Sequence, residues 1–169
     1  MRPSANPPER NTVVPALRGC RAWIASLLVV TVLVAEVSLA PSTHADPAAN
    51  LADALASARS GTSCSPLRYN KVVEQVAQII NRSTDSYLNQ AAPRVPIAEP
   101  LEGLKDLGYG GTKAYLLQGA DKNESVAIKG ALLEGYATIP DCSYKDFGVS
   151  MLRNETTGYN LASLVLAAA

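Results

Sequence analysis

The first 45 residues most constrain what this chain can fold into, because they predict that only residues 46–169 build the domain. Four arginines lie within residues 1–21, and residues 22–35 follow without a charge. Fourteen residues span roughly 21 Å as a helix, which is short for a hydrocarbon core of about 30 Å. Thr43-His44-Ala45 then places small residues at the two positions that a signal peptidase reads. The pattern predicts a secretory signal peptide over residues 1–45.

An uncleaved membrane anchor is the alternative, because the apolar stretch continues to Ala40. The chain would then meet a membrane only through this segment. Both interpretations place the domain outside the cytoplasm, either secreted or in the cell envelope. The formal net charge of the whole chain is 0, so the composition gives no reason to expect a nucleic-acid partner.

Cleavage after Ala45 would leave two cysteines, Cys64 and Cys142. An even pair in an exported protein favours a disulfide, and the alternative is two separate buried thiols. The loop that this disulfide closes covers most of residues 46–169. The chain-entropy model assigns it roughly 4 kcal/mol of stability, a large share of the ~5–15 kcal/mol expected of a domain.

Helical patterns come first in the predicted domain. Asp46-Pro47 is typical of an N-cap followed by a first helical residue, and Leu51 and Leu55 share one face. Asn70 is a second candidate N-cap, for a helix through about Ser83 that Tyr87 and Leu88 extend. The apolar residues of this second helix recur at helical spacing: Val72, Val73, Val76, Ile79 and Ile80.

The middle of the chain alternates between loops and short elements. Three prolines in residues 91–100 predict an extended surface loop, and leucines 101, 104 and 107 predict a short helix closed by Gly108. Residues 113–118 form a candidate strand. Asp121 and Glu124 resemble a capping box for a helix to about Tyr136, whose small residues suit close packing. Those small residues are Ala127, Gly130 and Ala131.

The C-terminal residues give the clearest strand signal. Residues 147–152 and 159–166 alternate, and a loop containing Gly158 joins them, which predicts a hairpin. The last strand is apolar on both faces, so we expect it to be central in its sheet. Helices followed by a hairpin predict an α+β fold in which helices pack on a small antiparallel sheet.

Three stretches carry a resemblance to the CAP superfamily of cysteine-rich secretory, antigen 5 and plant pathogenesis-related proteins. Leu55-Ala-Ser-Ala-Arg59, followed by Cys64-Ser-Pro-Leu67 and the helix after Asn70, is similar to the family's first helical segment. Residues 111–119 lie where the family has a Gly-Glu-Asn stretch. Residues 139–149 and those from Tyr159 onward resemble its late strands. The resemblance implies a single CAP-like layered sandwich over residues 46–169, in a divergent branch of exported bacterial proteins.

The departures from the family pattern exclude its metal site. The metal-binding members use two histidines and two acids, whereas residues 46–169 contain no His. Thr112 stands where the family has the Glu of its Gly-Glu-Asn stretch, and Gly135 stands at the second His position. We therefore expect no metal, and nothing in the sequence indicates a cofactor.

Other catalytic sites find little support in the sequence. A Ser–His–Asp triad is impossible once His44 is removed. Glu124 and Glu134 lie about 15 Å apart along one predicted helix and differ by roughly 80° in azimuth, a poor geometry for glycoside hydrolysis. We expect no catalytic residues.

Seven tyrosines are the one enriched aromatic type, and half-buried packing is their commoner role. Four of them are candidates to line a ligand cavity: Tyr69, Tyr115, Tyr136 and Tyr159.

The leading functional hypothesis is a secreted, non-catalytic binding module of the bacterial cell envelope. Its ligand would be a lipid, another apolar molecule or a cell-wall component, and this ligand class rests on family analogy. One alternative is a secreted hydrolase with an unrecognised carboxylate or Ser site. Another is a structural or antigenic envelope protein without a small ligand.

Overall fold

Four strands form the sheet at the centre of the computed structural model, which describes residues 46–168. They are β1 (Arg68–Tyr69), β2 (Lys113–Asp121), β3 (Asp146–Arg153) and β4 (Asn160–Ala168). Their order across the sheet is β1-β3-β4-β2. β4 pairs antiparallel with β2 on one side and with β3 on the other. The predicted hairpin is thereby confirmed, and β4 is central as its apolar faces indicate.

Four helices cover the sheet: α1 (Pro47–Ser60), α2 (Lys71–Leu88), α3 (Pro100–Asp106) and α4 (Glu124–Glu134). The two N-caps expected from the sequence are confirmed. The Asp46 side chain accepts from the Ala48 N–H, and the Asn70 side chain accepts from the N–H groups of Val72 and Val73. α2 continues to Leu88 and so includes the extension that Tyr87 and Leu88 indicate.

The helices lie in two layers, because β4 alternates its side chains between two separate cores. On one face α2 and α3 pack through Val73, Val76, Ile80 and Leu104 against Leu116, Val165 and Ala167. On the other face α1 and α4 pack through Leu51, Leu55, Ala127, Ile128 and Ala131 against Leu117, Val149, Leu164 and Leu166. The result is an α+β sandwich with the sheet as its middle layer.

Two sequence expectations need correction. The sheet is mixed rather than wholly antiparallel, because β1 pairs parallel with Asp146 and Phe147 of β3. The N-cap of α4 is Asn123, whose side chain accepts from the N–H groups of Ser125 and Val126. Asp121 cannot cap α4, since it ends β2 and its carboxylate accepts from the Asn123 N–H.

The small residues of α4 allow the close packing that the sequence indicates. Gly119 of β2 lies directly beneath the helix, and a Cβ there would come within 2.0 Å of the Ala127 carbonyl oxygen and 2.7 Å of the Ala131 nitrogen. Both atoms belong to the backbone, so they cannot move aside as a flexible side chain would. Gly119 therefore sets the distance between α4 and the sheet.

The predicted signal peptide, residues 1–45, lies outside the described residues. Within residues 46–168, no helix combines the length and hydropathy that crossing a bilayer requires.

Gly119→Ala and Gly130→Ala form a matched pair of substitutions that tests this packing. We expect Gly119→Ala to lower the free energy of unfolding by about 1–3 kcal/mol, because the methyl group overpacks the interface. Gly130 also faces the interface, but its Cβ would lie an ordinary 3.5 Å from Gly119. Gly130→Ala should therefore be neutral or stabilise by up to ~1 kcal/mol through helix propensity. Urea unfolding of both variants measures the contrast, and equal effects would contradict it.

Candidate functional site

A disulfide joins the loop after α1 to the segment that precedes β3. Cys64 and Cys142 are linked across 78 residues, with their Cα atoms 5.1 Å apart. This confirms the predicted pairing. Both cysteines lie in loops, outside any helix or strand. The disulfide therefore restrains two loops that no helix or sheet hydrogen bonds hold in place.

Arg59 holds the same two loops without a covalent bond. It lies in the last turn of α1 and is 1% exposed. Its Nε donates to the Ser65 carbonyl at 3.0 Å, and its Nη2 donates to the Tyr144 carbonyl at 3.0 Å. Its Nη1 donates to the carbonyls of Ile139 and Asp141. Burial lowers the pKa of Arg59, and the nearby Asp141 charge acts in the opposite direction.

An apolar cavity of about 80 Å³ lies against this anchor. It is enclosed by the second half of α1, by the disulfide loop and by the side of β3. We call it the α1 cavity and define it by its lining residues: Leu55, Ala56, Arg59, Ser60, Cys64, Pro66, Leu67 and Phe147. Since the guanidinium nitrogens of Arg59 are engaged by carbonyls, the cavity offers a ligand mainly apolar surface.

The four tyrosines proposed as cavity lining do not converge on one place. Tyr69 is on β1 and Tyr115 on β2, at opposite edges of the sheet. Tyr136 follows α4 and is 82% exposed, and Tyr159 precedes β4. Tyr69 packs edge-on against Phe147, with ring centres 6.2 Å apart. None of the four lines the α1 cavity.

A polar cluster marks the start of β3. Asp146 is buried and accepts from the Arg68 guanidinium at 3.0 Å and from the Tyr109 hydroxyl at 2.8 Å. Burial raises the pKa of Tyr109 to about 12, and the hydrogen bond to Asp146 adds to this. A hydroxyl with a raised pKa is a poor base or nucleophile at neutral pH. The cluster therefore fastens β1 and the residues before β2 to β3.

A second charged group lies beside the disulfide. Lys113 Nζ is 2.6 Å from the Asp141 carboxylate and 3.0 Å from the Ser143 hydroxyl. It also lies 4.3 Å from the centre of the Tyr144 ring. The hydrogen bond from Lys113, with those from Ser143, holds the pKa of Asp141 well below its usual range. This ion pair is exposed, so it contributes little to stability.

The two carboxylates considered for hydrolysis are engaged in structural hydrogen bonds. Glu124 accepts from the Asn50 side chain at 2.8 Å, and Glu134 accepts from the Gln118 N–H. They occupy opposite ends of α4. Within residues 46–168, no three His, Cys, Asp or Glu side chains are grouped so as to hold a metal ion.

The α1 cavity was missed by sequence reasoning. The sequence places Leu55 on one face of the first helix with Leu51, and it places Pro66 and Leu67 within the family resemblance, but neither signal predicts a cavity. The available signal was the disulfide, because Cys64 lies in the loop that follows α1 and residues of this loop line the cavity. Its depth and lining depend on Phe147, which lies more than 80 residues from Cys64 in the chain.

No protein-family model matches the sequence, and no curated protein matches it. Solved structures do match. An outer surface protein from Borrelia burgdorferi aligns with a TM-score of 0.57 at 11% identity, over 72% of this chain and 92% of that one. Two further matches are a cysteine-rich secretory protein from Staphylococcus aureus and an extracellular protein with an SCP domain from Bacillus anthracis.

These two matches align with TM-scores of 0.53 and 0.51, each at 15% identity. They cover 77% and 73% of this chain, and the chain spans 40% of the length of each. At such identities the likeness is one of fold. The described residues therefore have a CAP-like fold, and the resemblance read from the sequence is confirmed at that level.

Tyr109→Phe tests the cluster at the start of β3 through its pH dependence. A Tyr whose pKa is raised in the folded state favours folding below the unfolded pKa of 10, and this contribution is lost as the pH rises toward 12. The half-buried ring reduces the effect to about 1–2 kcal/mol. We expect the unfolding free energy of the wild type to fall between pH 10 and pH 12 more steeply than that of Tyr109→Phe.

Tyr136→Phe, at an exposed position, is the control. If it flattens the profile as much as Tyr109→Phe does, the assignment to Tyr109 is wrong.

Proposed function

We propose that the protein is an extracytoplasmic, non-catalytic binding module of the cell envelope that holds the end of an apolar group in the α1 cavity. The observation that carries this proposal is the apolar lining of that cavity beneath the disulfide loop. Leu55, Leu67 and Phe147 supply its walls. An apolar pocket with few polar groups favours a ligand whose inserted part needs no hydrogen bonds.

The volume of the α1 cavity limits what enters it. A cavity of about 150 Å³ takes benzene, so about 80 Å³ suits the end of an alkyl or isoprenyl chain rather than a whole lipid. Burying three or four methylene groups contributes about 2–3 kcal/mol at ~0.8 kcal/mol each. The remainder of the ligand would lie outside the cavity, as in a lipid or another amphiphilic envelope component.

Three observations support the extracytoplasmic location. The first 45 residues have the pattern of a secretory leader. The Cys64–Cys142 disulfide is typical of oxidising compartments. The proteins with similar folds include one described as an outer surface protein and one described as extracellular.

The proposal of a non-catalytic role follows from how the candidate groups are used. Asp146, Glu124 and Glu134 each accept hydrogen bonds that fasten one element to another. The hydroxyl of Tyr109 is held protonated by its raised pKa. Binding without turnover is therefore the function that the geometry supports best.

Octanoic acid is a suitable probe, because it is soluble and presents one short alkyl end. We expect saturable changes in the ¹³C-methyl NMR signals of Leu55 and Leu67 on titration. Ala56→Trp, at the exposed mouth of the cavity, should abolish these changes by filling it. Ala98→Trp makes the same chemical change in the loop before α3 and should leave binding unaltered.

Two results would contradict this function. One is the lack of any change at Leu55 and Leu67 in the wild type, which would favour an envelope protein without a small ligand. The other is undiminished binding in a folded Ala56→Trp variant. Native mass spectrometry of the protein as released by its producing cells adds a direct readout, since a bound amphiphile appears there as added mass.

A further inference from the structure

Among the strands of residues 46–168, β3 has one edge that is unpaired beyond its first residues. β1 contains two residues and pairs only with Asp146 and Phe147, after which the chain enters α2. Within residues 46–168, no strand covers that side of residues 148–153. The edge therefore continues past the end of β1 along most of β3.

The unpaired backbone groups can be assigned from the pairing of β1. The Phe147 carbonyl accepts from the Asn70 N–H, so Phe147 points its backbone groups toward the β1 side. Successive residues of a strand point these groups to opposite sides, so Val149, Met151 and Arg153 also point there. Their N–H and C=O groups form a row that another strand can bind.

A groove of about 260 Å³ follows this edge. It contacts four consecutive residues of β3, from Val149 to Leu152. Because the side chains of consecutive residues alternate between the two faces, a groove that touches all four must lie along the strand edge. We call it the β3 groove. Ala48 of α1 forms one wall, and Glu74, Gln78 and Arg82 of α2 form the other.

The groove is recessed, which selects among possible occupants. Val149 is 5% exposed and Ser150 is 9% exposed. Both residues are buried because α1 and α2 lie on the two sides of this edge. A sheet edge from a second copy would carry its own flanking helices into these walls, whereas a single extended segment is slim enough to enter.

We propose that the β3 groove binds an extended peptide segment, which adds to the sheet as a strand in line with β1. Edge hydrogen bonds give such binding its affinity, and pockets for alternate side chains give it specificity. This site is separate from the α1 cavity, so it adds a peptide-binding activity to the proposed function.

The walls indicate the chemistry of the peptide. The α2 wall presents one side chain every four residues, at Glu74, Gln78 and Arg82. Glu74 and Arg82 are therefore about 12 Å apart along the helix axis. At ~3.3 Å per residue this corresponds to about four residues of an extended strand. Opposite charges four residues apart, with a polar residue midway, therefore complement this wall. The intervening side chains would face Ala48 and the Met151 side, where small apolar residues fit.

Two capped pentapeptides test the proposal in both strand directions: Lys-Val-Thr-Val-Glu and Glu-Val-Thr-Val-Lys. The ¹⁵N-labelled protein is used in the form that the producing cells release. We expect one peptide to shift the amide signals of Val149, Met151 and Arg153 saturably. N-methylation of one alternate set of peptide nitrogens should weaken binding at least tenfold, and methylation of the other set should change it little.

Arg82→Glu tests the charge complementarity. It should weaken the better peptide at least fivefold and favour Lys-Val-Thr-Val-Lys instead. Arg94→Glu, an exposed Arg in the loop before α3, is the matched control and should leave both affinities unchanged. The proposal is overturned if no amide on the β3 edge shifts at saturating peptide, or if both N-methylated peptides bind as the parent does. Self-association of the protein through this edge would also overturn it.

Discussion

The buried guanidinium of Arg59 is the interaction on which the rest of this structure depends. Burying a charge costs several kcal/mol unless hydrogen bonds replace its water. Four backbone carbonyls replace this water around Arg59, those of Ser65, Ile139, Asp141 and Tyr144. The carboxylate of Asp141 does not pair with Arg59 but forms an ion pair with Lys113. These carbonyls lie in two loops, the one after α1 and the one before β3. The Arg59 side chain therefore holds in place two segments that no helix or strand hydrogen bonds stabilise.

The two proposed binding sites follow from how this anchored end of the molecule meets β3. α1 and the disulfide loop close over Phe147 on one face of the sheet, which leaves the α1 cavity. On the edge, β1 is only two residues long because α2 begins at Lys71. In the described part of the chain, the remainder of the β3 edge is consequently left without a strand partner and forms a recessed groove between two helices. An apolar cavity and a strand-binding edge thus arise from the same short connection between α1 and α2.

Local signals in the sequence predicted the elements well. Side-chain caps at Asp46 and Asn70 mark the starts of α1 and α2, and the apolar residues on both faces of β4 indicate a strand covered on both sides. β1 has no such signal, because its two residues become a strand only beside Phe147. The local pattern predicts the cap of α4 at Asp121 rather than at Asn123, because it does not show that β2 continues to Asp121.

The sites were harder to predict, because they depend on contacts between distant residues. Arg59 looks like an ordinary basic residue in a last helical turn, and only the folded loops show that it is buried. A tyrosine side chain, with its apolar ring and polar hydroxyl, is suited to lining a cavity. The sheet topology nevertheless places Tyr69 and Tyr115 at opposite edges of the sheet. The Cys64–Cys142 pair was predictable, since export and an even cysteine count require no knowledge of the fold.

The most direct test of this account is the free energy of unfolding of Arg59→Lys with the disulfide intact. A Lys ammonium cannot reproduce the fork that reaches four carbonyls, and each buried carbonyl left without a donor costs about 1–3 kcal/mol. We expect the free energy of unfolding of Arg59→Lys in urea to fall by about 3 kcal/mol or more, against less than ~0.5 kcal/mol for the exposed control Arg153→Lys. An Arg59→Lys protein as stable as that control would contradict this account.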